Sequence, residues 1–244
     1  MSQFKRFLVC ADNHGDLVCL DAKKKLLDFA KTWKPHYRIH LGDVFDFSCL
    51  RMGASQEDKS DGIGNDFTDG IAFLDEFKPG FLTLGNHDDR IYMQAQQRAD
   101  GILRERCEEL CKSLERELAK RKIKWVPYHI NKYLQLPEGG PKLIHGFKSS
   151  LYPAKAHFDN WGPSICGHVH KPDYHAARHI SGGESFSVGC MADLSKFTYS
   201  NRQPARLGHR TGFLYGIINS KGKWTAWNIS KDEDGDWISP HGLL

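Results

Sequence analysis

Side chains that can bind metal ions stand directly after five short apolar stretches of this sequence. They are Asp12 and His14 in FLVCADNH, Asp43 in IHLGDVFD, Asn86 and His87 in FLTLGNHD, His145 in LIHG, and His168 and His170 in SICGHVH. A mixture of carboxylate, amide and imidazole groups suits manganese, iron or zinc better than an all-oxygen calcium site. The residue types therefore predict a site for transition-metal ions.

The spacing within two of these stretches lets paired side chains reach one site. In Asp12-x-His14 and in His168-x-His170, both side chains leave an extended or turning backbone in the same general direction. Glycine adjoins several ligand positions, where it permits a sharp turn from strand to loop and a close approach of the backbone to a phosphate. These glycines are Gly42, Gly85, Gly146 and Gly167.

The apolar stretches are predicted to be strands, and in the first half of the chain they alternate with helices. We predict strands at residues 4–11, 36–41 and 81–84, and helices at residues 17–33 and 67–77. This alternation indicates βαβ units and a mainly parallel sheet. Ligands of such sheets bind outside the carboxyl ends of the strands, where the polar side chains stand.

After Pro127 the pattern changes to short strands with short connections. These predicted strands cover residues 133–136, 143–145, 165–166, 174–179, 185–188, 213–218 and 224–229. Their spacing predicts a second, more antiparallel sheet. The expected fold class is α/β, with two sheets packed face to face as a β-sandwich and helices on the outside.

We expect a single domain over residues 1–244, because the motifs between residues 12 and 170 must converge. Residues 48–66, rich in Gly, Ser and Asp, predict a loop insertion. Residues 88–121 predict a long helical segment, broken near Gly101, with an apolar stripe at spacings of three and four. The stripe either packs against its own domain, which we favour, or forms a dimer contact, so the oligomeric state stays open.

The composition is that of a globular protein, with 40% hydrophobic and 26% charged residues. The longest apolar run near the start, residues 7–11, is far too short for a membrane span or a signal-peptide core. The seven cysteines follow no disulfide framework. We therefore expect a reduced, cytoplasmic protein without a membrane partner.

The net charge of +4 is too small to indicate a partner, but the basic residues are unevenly distributed. Residues 194–231 contain seven Lys or Arg residues and no Asp or Glu. Such a segment either binds a polyanionic substrate or forms a solvated basic face. Its candidate substrate-binding residues are Arg202, Arg206 and Arg210. Its aromatic residues either stack on bases or belong to the core of strands; they are Phe197, Tyr199, Phe213, Tyr215, Trp224 and Trp227.

Five motifs occur in a fixed order along the chain: D-x-H, G-D-x-x-D, G-N-H-D, a lone His-Gly and G-H-x-H. Together they resemble the calcineurin-like metallophosphoesterase family, over residues 12–170 or about two thirds of the chain. The resemblance implies direct hydrolysis of a phosphoester by a metal-bound hydroxide. It also implies two divalent transition-metal ions, for which we expect manganese, with iron, zinc, nickel or cobalt as alternatives.

The resemblance implies seven metal ligands, three for each ion and one that is shared. The first ion takes Asp12, His14 and His170, the second takes Asn86, His145 and His168, and Asp43 bridges both. His157 is an alternative to His145, but it falls in a predicted helix rather than at a strand end.

Three further residues have implied roles beside the metal ions. His87 faces the substrate as the general acid, and Asp46 and Asp88 orient imidazole rings. The UDP-diacylglucosamine hydrolases are similar in length, but they carry arginine where His87 stands, so the resemblance to them is weaker.

The resemblance leaves the substrate class open. The basic segment favours a phosphodiesterase that acts on nucleotides or nucleic acid. The alternatives are a phosphomonoesterase or protein phosphatase, and a non-catalytic binding module on the same fold. Such a module is expected to have lost metal ligands, whereas every ligand type of the family is present here.

Overall fold

Two β-sheets form the centre of the structure, a computed structural model that describes residues 4–56, 62–96, 101–178, 182–197, 208–240 and 242–243. Within these residues the first sheet has eight strands: β1 (Lys5–Cys10), β2 (Tyr37–His40), β3 (Phe81–Thr83), β4 (Lys124–Val126), β10 (Gly212–Ile218), β11 (Trp224–Lys231), β12 (Trp237–Ser239) and β13 (Gly242–Leu243). The second has five: β5 (Leu134–Leu136), β6 (Gly139–Ile144), β7 (Ser164–Cys166), β8 (Asp173–Ala176) and β9 (Glu184–Ser187).

The first sheet has the strand order β13-β12-β11-β10-β1-β2-β3-β4. Strands β1 to β4 are parallel, and β10 joins them by pairing antiparallel with β1. The prediction that residues 213–218 and 224–229 belong to the second sheet is therefore wrong. An apolar pattern identifies a strand, but pairing with β1 depends on packing that the pattern does not report.

The second sheet has the order β5-β6-β7-β9-β8. Its three central strands are parallel, and only the two edge strands pair antiparallel with their neighbours. The prediction of a more antiparallel second sheet is therefore wrong for the three central strands β6, β7 and β9. Both sheets are mixed, and helices flank them, so the predicted α/β class with two sheets is confirmed.

The helices are α1 (Leu20–Trp33), α2 (Ile63–Phe77), α3 (Asp89–Gln96), α4 (Gly101–Lys120) and α5 (Pro153–Trp161). The helical segment predicted at residues 88–121 consists of α3 and α4, and Gly101 is the first residue of α4. Helix α2 begins inside the predicted loop. The sequence did not indicate its first turn, because Gly64, Asn65 and Asp66 have low helix propensity.

Several apolar cores hold these elements together, and three of them join helices and sheets. Between the two sheets, Val9 and Ile39 pack with Leu143 and Ile165. The stripe of α4 is buried against β3 and α3, and α1 packs on β1 and β10. The stripe thus packs within its own chain, as favoured above. Because the main core draws on both sheets, we propose that the chain forms one domain.

All seven cysteines lie in the described part of the chain, where none of them forms a disulfide bond. Five of them are buried: Cys10, Cys107, Cys111, Cys166 and Cys190. Cys107 and Cys111 belong to the core between α4 and the sheet, where a thiol behaves as a small apolar group. Among the described helices, none combines the length and apolar character needed to cross a membrane.

Candidate metal centre

The predicted ligands lie in loops at the carboxyl ends of five strands. Asp12 and His14 follow β1, Asp43 follows β2, Asn86 follows β3, His145 follows β6, and His168 and His170 follow β7. Strands β1 to β3 are parallel neighbours in one sheet, and β6 and β7 are parallel neighbours in the other. These ends therefore meet at one edge of the sandwich, and the seven side chains come together there.

The backbone at five of the ligand residues is left-handed, which is uncommon for residues other than glycine. The φ angles are 58° at Asp12, 50° at His14, 51° at Asp43, 71° at His168 and 55° at His170. Backbone hydrogen bonds hold this geometry: the N–H of Asp12 donates to Gly42 at 2.9 Å, and that of His14 to Asp43 at 3.0 Å. Such strained residues persist only where the surroundings enforce them, and they cluster at functional sites.

The loops after β2 and β3 approach each other so closely that one contact requires glycine. A Cβ atom on Gly85 would lie 2.1 Å from Oδ1 of Asp43 and 2.4 Å from its backbone nitrogen. The N–H of His87 donates to the same Oδ1 at 2.8 Å. Glycine at residue 85 therefore allows the G-N-H-D loop to hold the Asp43 carboxylate at the centre of the cluster.

Among the described residues, three groups of ligand atoms lie side by side, two of them with Asp43 as a member, and within each group all atoms lie within 4.8 Å of one another. The groups are Asp12, His14 and His170; His14, Asp43 and His87; and Asp43, His145 and His168. Oδ1 of Asn86 lies 3.0 Å from Nε2 of His145 and so extends the third group. The first and third groups correspond to the two predicted ligand sets.

The histidine tautomers fit metal coordination. Nδ1 of His14 donates to the carboxylate of Asp46 at 2.9 Å, and Nδ1 of His145 donates to the Leu41 carbonyl at 2.6 Å. With Nδ1 protonated, Nε2 of the neutral ring offers a lone pair to the cluster. In His145 this lone pair becomes available when the binding of a metal ion releases the Nε2 proton. Nε2 of His14 and Nε2 of His170 lie 3.2 Å apart. Convergent lone pairs beside buried carboxylates are a donor set that divalent cations fit.

The charge of Asp43 dominates the electrostatics of the cluster. Burial by itself raises the pKa of Asp43, but His145 and His87 outweigh it and hold that pKa well below its usual range. Burial lowers the pKa of His145, but Asp43 and Asp12 outweigh it and raise that pKa to about 9. Burial and the neighbouring His145 lower the pKa of His168 to about 3. At neutral pH Asp43 is thus ionised and His168 is neutral, the states in which they bind metal.

Asp46 links a predicted metal ligand to the predicted acid. Its Oδ1 accepts from Nδ1 of His14 at 2.9 Å and from Nδ1 of His87 at 2.8 Å. Burial favours a raised pKa for Asp46, but the hydrogen bonds from the two histidines lower it far below the usual range. The carboxylate is therefore ionised, and it fixes the orientation of both rings.

Asp88 does not make the contact that was predicted for it. Its carboxylate accepts from the backbone N–H of Phe45 at 3.0 Å and from that of Gly85 at 2.8 Å. Burial and the charge of Asp43 raise the pKa of Asp88 to about 7. Asp88 thus joins the two loops that carry Asp43 and His87, and the prediction that it orients an imidazole is corrected.

His157 is buried, but both of its ring nitrogens have partners away from the cluster. Nδ1 donates to the Pro153 carbonyl at 2.8 Å, and Nε2 accepts from the N–H of Phe147 at 3.0 Å. His157 therefore stabilises the loop after β6 and the start of α5. Of the two alternatives left by the sequence, His145 is the one whose Nε2 faces Asp43, at 3.3 Å from Oδ2.

The predicted substrate-binding arginines receive little structural support. Arg202 and Arg206 lie outside the described residues. Nη2 of Arg210 forms an ion pair with Glu233 at 2.8 Å, and its Nη1 donates to the His209 carbonyl at 3.2 Å. Lys231 of the same segment pairs with Asp21 at 2.8 Å. Acidic residues from outside the segment thus offset part of its charge.

The aromatic residues of the segment are mostly core residues. Phe213 and Tyr215 are buried in β10, and Trp224 and Trp227 are partly buried against the cores. Phe197 is also buried, with its ring centroid 5.1 Å from that of His14 and 5.5 Å from that of His170. Tyr199 lies outside the described residues. The base-stacking interpretation is therefore wrong for Phe213 and Tyr215.

Two residues beside the cluster were missed by the sequence analysis. Arg90 lies one helical turn after His87, and its Nη1 donates to the Asp46 carbonyl at 2.5 Å. Asp66 accepts from the N–H groups of Asp46 at 3.0 Å and Phe47 at 2.6 Å. The spacing of three residues from a strand-end histidine could have identified Arg90. No local signal connects Asp66 with a loop 20 residues earlier in the chain.

The chain is similar to a known protein family and to known structures. The family model of calcineurin-like phosphoesterases matches residues 5–173. Among solved structures, Vacuolar Protein Sorting 29 from Cryptosporidium parvum aligns over 99% of this chain and 97% of its own, with 15% identity and a TM-score of 0.51. A phosphatase from Mycoplasma pneumoniae aligns over 95% of both chains, with 12% identity and a TM-score of 0.46. No curated protein sequence matches the chain significantly.

Proposed function

The chain belongs to the calcineurin-like phosphoesterase family, and from this premise we propose that it is a phosphodiesterase that acts on nucleotides. Family membership makes it a metal-dependent hydrolase of phosphoesters with a centre for two divalent metal ions. The diester preference, the nucleotide substrate and manganese as the metal are our proposals. The cleft beside His87 carries the diester and nucleotide proposals. The mixture of carboxylate and imidazole ligands around Asp43 carries the proposal of manganese.

We assign the metal ligands according to the two groups that surround Asp43. Asp12, His14 and His170 would hold one ion, Asn86, His145 and His168 the other, and Asp43 both. When bound, the ions neutralise charge on the phosphoryl oxygens and activate water as the nucleophile. The chain fixes their positions through the Nδ1 hydrogen bonds of His14 and His145 and through the rigid loop at Gly85.

His87 is proposed to protonate the leaving oxygen. Nδ1 of His87 donates to Asp46, so Nε2 faces the cluster, 3.9 Å from Oδ2 of Asp43. Burial lowers the pKa of His87, but Asp43 and Asp46 outweigh it and raise that pKa above its ordinary value near 6.5. A raised pKa increases the fraction of molecules in which His87 is protonated at neutral pH, as a general acid requires.

The preference for diesters of nucleotides rests on the space beside His87. A cleft of about 730 Å³ adjoins this histidine, which is within the range of pockets that hold small molecules. A diester carries an organic group on the leaving side as well as on the retained side, and the cleft can receive such a group. Phe213 and Tyr215 are buried and cannot stack on the bases of a single-stranded nucleic acid, so we favour nucleotides as the substrate.

Two chromogenic esters test this proposal. With manganese, bis(p-nitrophenyl) phosphate should show a higher kcat/KM than p-nitrophenyl phosphate, and removal of metal by a chelator should abolish both reactions. Added manganese should restore them. A higher kcat/KM for the monoester would replace the diesterase by a phosphomonoesterase. Hydrolysis of neither ester with manganese, iron, zinc, nickel or cobalt would refute the proposed function.

A further inference from the structure

Among the described residues, the cleft beside His87 is lined by three cationic and three acidic side chains. Its cationic side chains are Arg51, Arg90 and Lys196. The cleft also includes Gly62 and Ile63, the N-cap and the first residue of the 15-residue helix α2. Helix N-terminal N–H groups favour anions. Two independent kinds of group therefore make this cleft suitable for a negatively charged ligand.

Two of the three acidic side chains of the cleft already accept hydrogen bonds within the chain. Asp46 accepts from two histidines, and Asp66 accepts from two backbone N–H groups. Burial raises the pKa of Asp66 to about 7, which reduces its negative charge at neutral pH. The third carboxylate belongs to Asp16, whose backbone carbonyl accepts from Nζ of Lys196 at 3.1 Å.

Arg90 lies at the boundary between the cleft and His87. Its Nη2 is 3.2 Å from Nε2 of His87, and its Nη1 binds the Asp46 carbonyl. In the proposed reaction Nε2 protonates the leaving oxygen, which must come within about 3 Å of that atom. Arg90 therefore lies close to the position that the leaving oxygen would occupy.

We propose that Arg90, with Arg51 and Lys196, selects substrates whose leaving group carries a further phosphate. The inference rests on the proposed function, because it takes His87 as the acid. A planar guanidinium binds phosphate with two parallel hydrogen bonds, so it suits this role better than any neutral side chain. Two sources provide such a leaving group, a nucleoside polyphosphate and an oligonucleotide.

The reaction is the same for both sources. The oxygen of water bonds to phosphorus and water gives up a proton to the solvent, the bond from phosphorus to the leaving oxygen breaks, and the proton of His87 passes to that oxygen. His87 then takes up a proton from the solvent, so the enzyme is unchanged. The leaving group is pyrophosphate when thymidine 5′-triphosphate is cut at its first phosphate. In a dinucleotide that ends in a 3′-phosphate, the leaving group is the second nucleoside with that phosphate attached.

Two matched substrate pairs test the inference with the manganese-loaded enzyme. In the first pair, the p-nitrophenyl ester of thymidine 5′-monophosphate is the member without a further phosphate. Thymidine 5′-triphosphate is the phosphate-bearing member. The second pair is the dinucleotide TpT and the same dinucleotide with a terminal 3′-phosphate. We expect Arg90→Met to lower kcat/KM for the phosphate-bearing member roughly 10- to 100-fold more than for its partner, in at least one pair, because charge-assisted hydrogen bonds are lost. The pair whose kcat/KM ratio changes shows whether the further phosphate belongs to a nucleoside polyphosphate or to an oligonucleotide.

The two kcat/KM values of a pair are compared within one variant, so partial unfolding lowers both values by the same factor and leaves their ratio unchanged. Lys196→Met, a change at an exposed residue of the same cleft, should have a smaller effect in the same direction, and it replaces Arg90→Met if that variant does not fold. Arg106→Met, at an exposed residue of α4 that pairs with Glu109, is the matched control and should change no ratio. Equal losses for both members of both pairs, with the chromogenic ester still hydrolysed, would overturn the inference but not the proposed function. Failure of the wild-type protein to hydrolyse any ester would refute both.

Discussion

Asp43→Asn is expected to lose bound manganese and nearly all turnover. Asparagine keeps the shape of the side chain but removes the negative charge that faces His14, His87 and His145, at 3.9, 3.9 and 3.3 Å from Oδ2. Metal ions contribute several kcal/mol of transition-state stabilisation, and about 1.4 kcal/mol corresponds to a factor of ten. We therefore expect kcat/KM for bis(p-nitrophenyl) phosphate to fall roughly 10²- to 10³-fold or more.

The matched control is Asp28→Asn, which removes an exposed carboxylate on α1 that pairs with Lys31. It should bind manganese and turn over as the wild type does. Metal content is measured by inductively coupled plasma mass spectrometry on both variants after dialysis against manganese. A fully active Asp43→Asn protein with the wild-type metal content would show that Asp43 bridges no metal ions.

His87→Ala is expected to keep its metal ions and lose rate. General acid catalysis contributes roughly 10²- to 10⁴-fold, so turnover of a dinucleotide with a poor leaving group should fall by that factor. The loss should be smaller for a p-nitrophenyl ester, because p-nitrophenolate leaves without a proton. Steady-state kinetics with both substrates measure this difference.

The structure makes a rival assignment for His87 concrete, since its ring nitrogen forms one of the three ligand groups, with His14 and Asp43. If His87→Ala lost manganese together with activity, His87 would be a metal ligand. His36→Ala is the control, because His36 is exposed and precedes β2, at the opposite end of that strand from Asp43. It should leave both the metal content and the rate unchanged.

The positions of the ligands could be predicted because each one follows an apolar run that forms a strand. Parallel strands bring their carboxyl ends to one edge, so Asp12, Asp43 and Asn86 had to be neighbours once β1, β2 and β3 were paired. Gly85 also indicated a close approach of the backbone beside the ligands, and the loop around Asp43 indeed has no room for a Cβ atom at residue 85.

The placement of the later strands could not be predicted, because their pairing depends on the whole fold. Residues 212–218 form an apolar run that is almost continuously buried, which is typical of a strand covered on both faces. That pattern indicates a central strand, but it does not say which sheet contains it. The same limit explains the error over Phe213 and Tyr215, whose aromatic rings fill a core.

The details of the centre depend on contacts between distant residues. Asp88 follows His87 directly, but its carboxylate binds the N–H of Phe45, 43 residues earlier. The left-handed backbone at Asp12 and His14 is imposed by hydrogen bonds to residues 42 and 43. This conformation is uncommon for residues other than glycine, so the sequence around Asp12 and His14 did not indicate it.

The central claim, two metal ions that share Asp43, is tested most directly by anomalous diffraction from crystals of the manganese-loaded protein. We predict two anomalous peaks roughly 3.5–4 Å apart, both in contact with the Asp43 carboxylate. One peak should lie against Asp12, His14 and His170, and the other against Asn86, His145 and His168. A single peak at full occupancy, or two peaks of which one does not touch Asp43, would contradict the account.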